Sequence, residues 1–153
     1  MTSIPFSDGN QTRSTVRALV VDDFQPFREF VCSTLARIPG LQIIGEASDG
    51  LEAIQKAKEL QPELICLDIG MPTLNGIEAA DQISRFVPAA KILFISQDSD
   101  AEVIAAALSN GAKGYVFKLD AVRELLLAVE SVLLGQRFIS AGVTGIRATS
   151  PSD

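Results

Sequence analysis

The chain has 153 residues, 47% of them hydrophobic, and a formal net charge of -6 at pH 7. This length suits one domain with flanking sequence, the apolar content excludes a disordered chain, and the acidic balance argues against direct nucleic-acid binding, which depends on clustered Lys and Arg. The sequence contains no histidine, which excludes histidine-based catalysis and a role as a phosphohistidine carrier.

The first 15 residues are polar and lack the basic start and apolar centre of a signal peptide. We interpret residues 1–15 as a mobile leader. No apolar run is long enough for a membrane span, so we expect a cytoplasmic protein that does not bind membranes. Cys32 and Cys66 fall inside predicted apolar elements, which favours two reduced core thiols over a disulfide or a metal pair.

Apolar runs and helix-stop signals divide the rest of the chain into five strands that alternate with five helices. The strands are predicted at 16–21, 41–47, 64–67, 91–95 and 114–117. The helices are predicted from Pro26 to the Pro39-Gly40 stop, from Asp49 to Pro62, from Asn75-Gly76 to Pro88, at 101–109 and at 121–134. This alternation predicts an open, doubly wound parallel α/β sheet. Residues 141–153, which are rich in Ser, Gly, Thr, Ala and Pro, are interpreted as a linker or tail.

Local signals add detail to three of these helices. The first helix should bury one apolar face, formed by Phe27, Phe30, Val31, Thr34, Leu35 and Ile38. Asp49, with Glu52 three residues later, is typical of a capping box at the start of the second helix. Asp120 stands directly before the fifth helix and is predicted as its N-cap.

Polar side chains follow four of the predicted strands, at the point where each strand ends. Asp68 follows the third strand, whose consecutive apolar residues indicate burial on both faces, as in parallel sheets. The first, fourth and fifth strands end at two acids, a hydroxyl and an amine: Asp22 and Asp23, Ser96, and Lys118. Ligands of such sheets bind at the carboxyl ends of the strands, so we expect these side chains to converge on one edge.

Three carboxylates brought to one edge repel one another unless a cation lies between them. A hard divalent ion that takes oxygen ligands and keeps several waters is the natural solution, and Mg²⁺ fits best. The sequence therefore predicts a Mg²⁺ site formed by the acids that follow the first and third strands.

This ordered set of residues resembles the receiver domain of two-component response regulators over about residues 16–140. The shared features are the acidic pair, Asp68 followed by Met71-Pro72 and Asn75-Gly76, the serine after the fourth strand and the lysine after the fifth. The segments Gly114–Ala121 and Gly135–Ser140 resemble the NarL/FixJ (LuxR-type) regulators, in which a helix-turn-helix DNA-binding domain follows a linker. The resemblance implies a flavodoxin-like (βα)5 fold with strand order 2-1-3-4-5.

The resemblance also implies a chemistry for the strand ends. Asp68 would accept a phosphoryl group from a sensor histidine kinase or, less efficiently, from a small acyl phosphate. Asp23 and Asp68 would ligate Mg²⁺ directly, Asp22 would act largely through water, and Gly70 would supply its backbone carbonyl. Lys118 would supply a mobile positive charge to the phosphoryl oxygens.

A switch is the output that the resemblance implies. A phosphoryl group on Asp68 would draw Ser96 inward, and the ring of Tyr115 would then move from an outward to an inward position. The altered face would be formed by the fourth helix, the fifth strand and the fifth helix, where Leu127 and Leu134 are predicted to be exposed. We expect a homodimer through this face or through the face of the first helix.

DNA contact is expected only through a C-terminal helix-turn-helix domain, which we expect to be missing from this chain. We therefore favour a receiver fragment of a transcription factor over a stand-alone receiver.

Two positions depart from the family pattern. Gln97 follows Ser96, where a small residue is usual, and Leu119 follows Lys118, where proline or a small residue is common. We expect Gln97 and Asp98 to tune the rates of phosphorylation and dephosphorylation.

Two other functions stay open at this point. The departures keep plausible a protein-interaction module whose phosphorylation has decayed. A haloacid-dehalogenase-type phosphatase also uses an Asp nucleophile with Mg²⁺, but it carries that Asp after its first strand and a second Asp two residues later. Here Asp68 follows the third strand and position 70 is Gly. We therefore expect no enzyme activity beyond self-catalysed phosphoryl acceptance and autodephosphorylation.

Overall fold

The computed structural model describes residues 15–140, so most of the predicted leader and the whole predicted tail lie outside the described residues. The described chain forms six strands: β1 Val16–Val21, β2 Leu41–Ala47, β3 Leu64–Leu67, β4 Lys91–Ser96, β5 Gly114–Phe117 and β6 Phe138–Ile139. It also forms five α-helices: α1 Gln25–Leu35, α2 Gly50–Leu60, α3 Gly76–Phe86, α4 Ala101–Ser109 and α5 Ala121–Leu133. All neighbouring strands are parallel, in the order β2-β1-β3-β4-β5-β6.

The predicted doubly wound parallel sheet is confirmed, and so is the order 2-1-3-4-5 of its first five strands. The prediction of five strands is wrong, because β6 adds a sixth strand beside β5. Phe138 donates a backbone hydrogen bond to the carbonyl of Lys113, and Ser140 donates one to the carbonyl of Tyr115. A strand of two residues is too short to show an alternation of apolar and polar side chains, so β6 can be recognised only from its pairing with β5.

Two hydrophobic layers hold the helices against the sheet, and β3 contributes to both. Ile65 and Leu67 belong to the layer under α2, α3 and α4, whereas Leu64 and Cys66 belong to the layer under α1 and α5. Burial on both faces is what the consecutive apolar residues of this strand predict. Cys66 and Cys32 are free thiols, and burial raises the pKa of the Cys66 thiol to about 12.

Two helix ends differ from the sequence prediction. α1 ends at Leu35, and Ile38 lies in the following turn, where its N–H donates to the Leu35 carbonyl. The side chain of Ile38 is still buried, because the turn folds back onto the same apolar layer. Asp120 ends a short 3₁₀ turn, and its side chain makes no capping hydrogen bond to α5. It accepts instead from the side chains of Arg123 and Ser140.

The starts of α2 and α3 lie where they are predicted, although in α2 the Glu52 carboxylate accepts from the Ser48 N–H and not from the Asp49 N–H of a full capping box. The Asp49 carboxylate accepts a hydrogen bond from the Glu52 N–H at 2.8 Å. Asn75 and Glu78 form a reciprocal capping box at the start of α3, which fixes where the loop after β3 ends. Of the helices between residues 15 and 140, none combines the length and the apolar character that a membrane crossing needs.

Candidate functional site

Three carboxylates meet at the carboxyl edge of the sheet, where β1 and β3 end. One oxygen from each of Asp22, Asp23 and Asp68 lies within 4.8 Å of the other two. Strand pairing places two of them, because the Asp22 N–H donates to the Ala47 carbonyl and the Asp68 N–H to the Val21 carbonyl, each at 3.0 Å. Asp22 and Asp68 are buried, with 2% and 4% exposure, and Asp23 is exposed. The structure thus brings the three predicted acids together.

Lys118 adds one positive charge to this acidic cluster. Its Nζ lies 2.9 Å from Oδ2 of Asp22 and 3.5 Å from Oδ2 of Asp68. The same Nζ lies over the ring of Phe27, 4.5 Å from the ring centre. Helical spacing predicts Phe27 as a residue of the apolar face of α1, and nothing in the sequence indicates its contact with Lys118.

The environment of Asp68 favours its protonated form. Burial is the largest cause and, with the negative charge of Asp22, raises the pKa of the Asp68 carboxyl to about 7. Lys118 lowers this pKa and Asp23 raises it further, since nearby opposite charges favour ionisation and like charges oppose it. The protein atoms alone therefore leave the acidic cluster short of positive charge.

Asp68→Asn is expected to raise the free energy of unfolding of the metal-free protein by about 2–4 kcal/mol at about pH 8. The pKa of about 7 in the folded state lies above the ordinary value of 3.8. Between these values the folded state binds a proton that the unfolded state has released, so wild-type stability falls as pH rises through this range. The asparagine side chain in Asp68→Asn does not ionise, so this variant avoids the loss of stability at high pH.

Urea unfolding in EDTA, at about pH 4 and about pH 8, measures this effect. The matched control is Asp81→Asn, because Asp81 lies on α3 with an exposed side chain that forms a surface ion pair with Arg85. Equal stability of wild type and Asp68→Asn at the higher pH would contradict the prediction.

Two glycines shape the loop that follows β3. Gly76 begins α3 directly against Asp68, because a Cβ at position 76 would lie 2.0 Å from the Asp68 backbone carbonyl oxygen. The sequence predicts only that Gly76 lies at the start of a helix, and it does not indicate the close approach to the backbone of Asp68. Gly70 has no atom within 4 Å of a Cβ built on it, which agrees with an unconstrained side chain at that position.

Ser96, the last residue of β4, and Tyr115, in the neighbouring strand β5, are both buried, with 2% and 0% exposure. Oγ of Ser96 accepts a hydrogen bond from the Asp98 N–H at 3.1 Å, and the Tyr115 hydroxyl donates to the Asp98 carbonyl at 2.8 Å. The ring of Tyr115 lies against Phe94, with the ring centres 6.5 Å apart. This is the inward of the two ring positions that the resemblance implies. Asp98, predicted only as a rate-tuning residue, also links Ser96 to Tyr115.

A cleft of about 890 Å³ connects most of the predicted site residues. Its lining consists of Asp23, Phe24, Phe27, Asp68, Gly70, Ser96, Gln97, Asp98, Ser99, Lys118 and Leu119. Gln97 and Leu119, the two departures from the family pattern, are both exposed. Each therefore lies beside the acidic cluster while remaining accessible to solvent.

Arg28 is a further residue whose role the sequence did not indicate. Its guanidinium donates to the backbone carbonyl of Asp22 at 2.8 Å and forms an ion pair with Glu46 at 2.9 Å. These contacts tie α1 and β2 to the loop that carries the acidic pair. A basic residue on the first turns of a helix gives no local sign of such a partner.

Comparison with known protein families decides the class of this site. The family model of the response regulator receiver domain matches residues 18–130, which include every member of the acidic cluster and Lys118. The chain belongs to the response regulator receiver family. It is thus a receiver domain of the two-component response regulators.

Individual relatives place this receiver domain among the NarL-type regulators. It is 36% identical over 125 residues to the response regulator GacA of Pseudomonas viridiflava, an alignment that covers 82% of this chain and 58% of GacA. It is 33% identical over 141 residues to the nitrate/nitrite response regulator protein NarL of Escherichia coli, covering 92% of this chain and 64% of NarL. The chain therefore spans less than two thirds of the length of these relatives.

A solved structure gives the same result for the fold. The two-component response regulator of the LuxR family from Aurantimonas sp. SI85-9A1 aligns with a TM-score of 0.81 and 33% identity. The alignment covers 86% of this chain and 94% of that one. The resemblance to the NarL/FixJ (LuxR-type) family is confirmed, and these comparisons favour neither a haloacid-dehalogenase-type phosphatase nor a decayed interaction module.

Proposed function

We propose that this receiver domain accepts a phosphoryl group from a sensor histidine kinase onto Asp68, in a reaction that depends on Mg²⁺. The observation that carries the proposal is the convergence of three carboxylates and one lysine on one edge of the sheet, with Asp68 buried among them. Family membership supports it, because the matched residues include the whole cluster.

Asp22, Asp23 and Asp68 are the residues that would hold Mg²⁺, with the backbone carbonyl of Gly70 as a further oxygen ligand. A set of oxygen donors suits this hard cation. The raised pKa of Asp68 supports the same assignment, because a divalent ion would supply the positive charge that keeps this carboxylate ionised. When bound, Mg²⁺ neutralises and orients the oxygens of the transferred phosphoryl group.

The side chains of the receiver itself divide the remaining tasks. An oxygen of the Asp68 carboxylate forms the new bond to phosphorus while the bond from phosphorus to the donor breaks, which leaves an acyl phosphate on Asp68. Lys118, whose Nζ is 3.5 Å from this carboxylate, attracts one phosphoryl oxygen by its charge. The Ser96 hydroxyl donates a hydrogen bond to another. These contacts stabilise charge that develops during transfer.

We further propose that the phosphorylated state is reported on the face of α4, β5 and α5. The contacts of Ser96 and Tyr115 with Asp98 lead from the cleft toward this face. Leu127, on α5, is 56% exposed, and Leu134, the residue that follows the end of α5, is 78% exposed. Exposed apolar side chains suit a homodimer or an output contact, and the face of α1 is the second candidate for the homodimer. Control of transcription would follow through a separate helix-turn-helix domain that binds DNA.

Intact-protein mass spectrometry after treatment with acetyl phosphate tests the central proposal. Wild type with Mg²⁺ is expected to gain one phosphoryl mass, and neither wild type in EDTA nor Asp68→Asn should gain it. Absence of the added mass in wild type would favour an interaction module without phosphorylation. Continuous turnover of phosphate esters, lost in Asp68→Ala, would favour a phosphatase instead.

Gln97→Ala is expected to speed both phosphorylation by acetyl phosphate and loss of the phosphoryl group, each by about 2–5-fold. Hydrolysis requires a water in line with phosphorus, and Gln97, which lines the cleft beside Ser96, would narrow the approach of that water. Because Gln97 is exposed, the free energy of unfolding should change by no more than about 0.5 kcal/mol.

The decay of the phosphorylated mass with time measures the rate at which the phosphoryl group is lost. Ser99→Ala, at another exposed position of the same cleft, is the control and should decay like wild type. A glutamine amide can also orient the attacking water, as in some GTP hydrolases. Slower decay in Gln97→Ala than in wild type would establish that role and refute the steric one.

A further inference from the structure

The ammonium of Lys118 contacts an aromatic ring as well as two acids. Its Nζ lies 4.5 Å from the centre of the Phe27 ring, 2.9 Å from Asp22 and 3.5 Å from Asp68. We propose that Phe27 is a positioning residue whose ring holds Lys118 at the phosphorylation site while the acids bind Mg²⁺. This inference rests on the proposed function of Asp68 and adds a residue to it.

The reason for such a residue lies in a competition for the same carboxylates. Asp22 and Asp68, the two acids nearest to Lys118, are also two of the proposed metal ligands. A divalent ion would engage their oxygens, directly or through a bound water, and would repel the ammonium by its own charge. Lys118 would then lose part of the attraction that holds it near Asp68.

An aromatic ring attracts the lysine without entering this competition. The face of the ring carries a partial negative charge that binds an ammonium, but it offers no oxygen lone pair to a hard cation such as Mg²⁺. The contact between Phe27 and Lys118 therefore remains available when Asp22 and Asp68 are engaged. Lys118 has a side-chain exposure of only 14%, and a partly desolvated site strengthens a cation–π contact.

Phe27 is also held firmly enough to act in this way. It lies near the start of α1, packs on the apolar layer under α1 and α5, and lines the cleft together with Asp68 and Lys118. Its ring contacts that of Phe30, with 5.4 Å between the ring centres and an angle of 43° between the ring planes. Phe30 packs on the same layer but does not line the cleft. It therefore provides a matched control.

Nuclear magnetic resonance of the metal-free protein tests the contact directly. A ring above the Lys118 ammonium shifts the proton resonances of the neighbouring ε-methylene group upfield. This shift should be present in wild type, in Phe27→Tyr and in Phe30→Leu, and lost in Phe27→Leu. Both Phe27→Leu and Phe30→Leu remove the contact between the two phenylalanine rings, but only Phe27→Leu also removes the contact with Lys118.

The rate of phosphorylation by saturating acetyl phosphate and Mg²⁺ tests the consequence. Phe27→Leu is expected to lower this rate by about tenfold, the range of a partly buried cation–π contact, whereas Phe27→Tyr and Phe30→Leu should stay within about twofold of wild type. The Mg²⁺ dissociation constant of Phe27→Leu should equal that of wild type, because no metal ligand is changed.

Unchanged Lys118 resonances in Phe27→Leu would overturn the proposal. So would a Phe27→Tyr variant as slow as Phe27→Leu, because an aromatic face would then not be what matters. If wild type itself gained no phosphoryl mass, the proposed function of Asp68 would fail, and the role of Phe27 that rests on it would fall too. The metal-free resonances would still show, separately, whether Phe27 holds Lys118.

Discussion

Asp23→Ala is expected to abolish detectable Mg²⁺ binding and, with it, phosphorylation of Asp68 by acetyl phosphate. Wild type should bind Mg²⁺ in about the micromolar-to-millimolar range of carboxylate sites that retain water ligands. Without Asp23, two carboxylates remain, and Lys118 lies 2.9 and 3.5 Å from their oxygens. Lys118 then offsets half of the remaining carboxylate charge, and one of the three carboxylate ligands is lost, so the attraction for a divalent ion falls sharply.

Isothermal titration calorimetry with MgCl₂ gives the binding constant, and intact mass gives the phosphoryl acceptance. Asp23 is exposed, so its replacement should change the free energy of unfolding by no more than about 0.5 kcal/mol and leave the fold intact. Asp98→Ala is the matched control for Mg²⁺ binding, because Asp98 lines the same cleft and is also an aspartate but lies outside the acidic cluster. If Asp23→Ala bound Mg²⁺ with wild-type affinity, the assignment of Asp23 as a Mg²⁺ ligand would be refuted.

Gly76→Ala is expected to lower the free energy of unfolding by about 3 kcal/mol, the upper part of the range for steric overpacking. A Cβ at this position would lie 2.0 Å from the backbone carbonyl oxygen of Asp68 and 2.8 Å from its carbonyl carbon. These are backbone atoms, so no side-chain rotation relieves the clash. Either α3 or the end of β3 must move, and Mg²⁺ binding should weaken because Asp68 moves with its backbone.

Gly70→Ala is the control for this loop. Position 70 lies between Asp68 and Gly76 in sequence, and a Cβ there meets no atom within 4 Å. Its backbone carbonyl, the proposed metal ligand, is retained in alanine. Urea unfolding should show Gly70→Ala within about 0.5 kcal/mol of wild type. Similar losses of stability in both variants would show that the contact of Gly76 with Asp68 is not the cause.

The elements that carry the site could be predicted because their signals are local. β3 is a run of apolar residues that ends in a carboxylate, and burial on both faces follows from its place inside a parallel sheet. Asp49 and Asn75 cap helices whose N–H groups lie within three residues of them, so sequence alone could indicate both starts. Convergence of Asp22, Asp23 and Asp68 then follows from the rule that parallel strands present their carboxyl ends at one edge.

Features that depend on partners far apart in the chain were predicted incorrectly or not at all. β6 forms because Phe138–Ile139 pair with the free edge of β5. The Asp120 carboxylate does not cap α5 and accepts hydrogen bonds from the side chains of Arg123 and of the more distant Ser140. Two residues in a strand, or one acid before a helix, carry too little local information to reveal such partners.

Sequence by itself thus determined a parallel α/β sheet with Asp68 at a strand end, because periodicity and capping are set by neighbouring residues. The receiver class came from the resemblance of the ordered motifs to that family. Only the tertiary structure decided what surrounds that carboxylate. It alone placed the ring of Phe27 over Lys118, and it brought α3 so close to Asp68 that position 76 excludes a side chain. The first contact joins segments that are distant in sequence, and the geometry of both contacts depends on how the helices pack against the sheet.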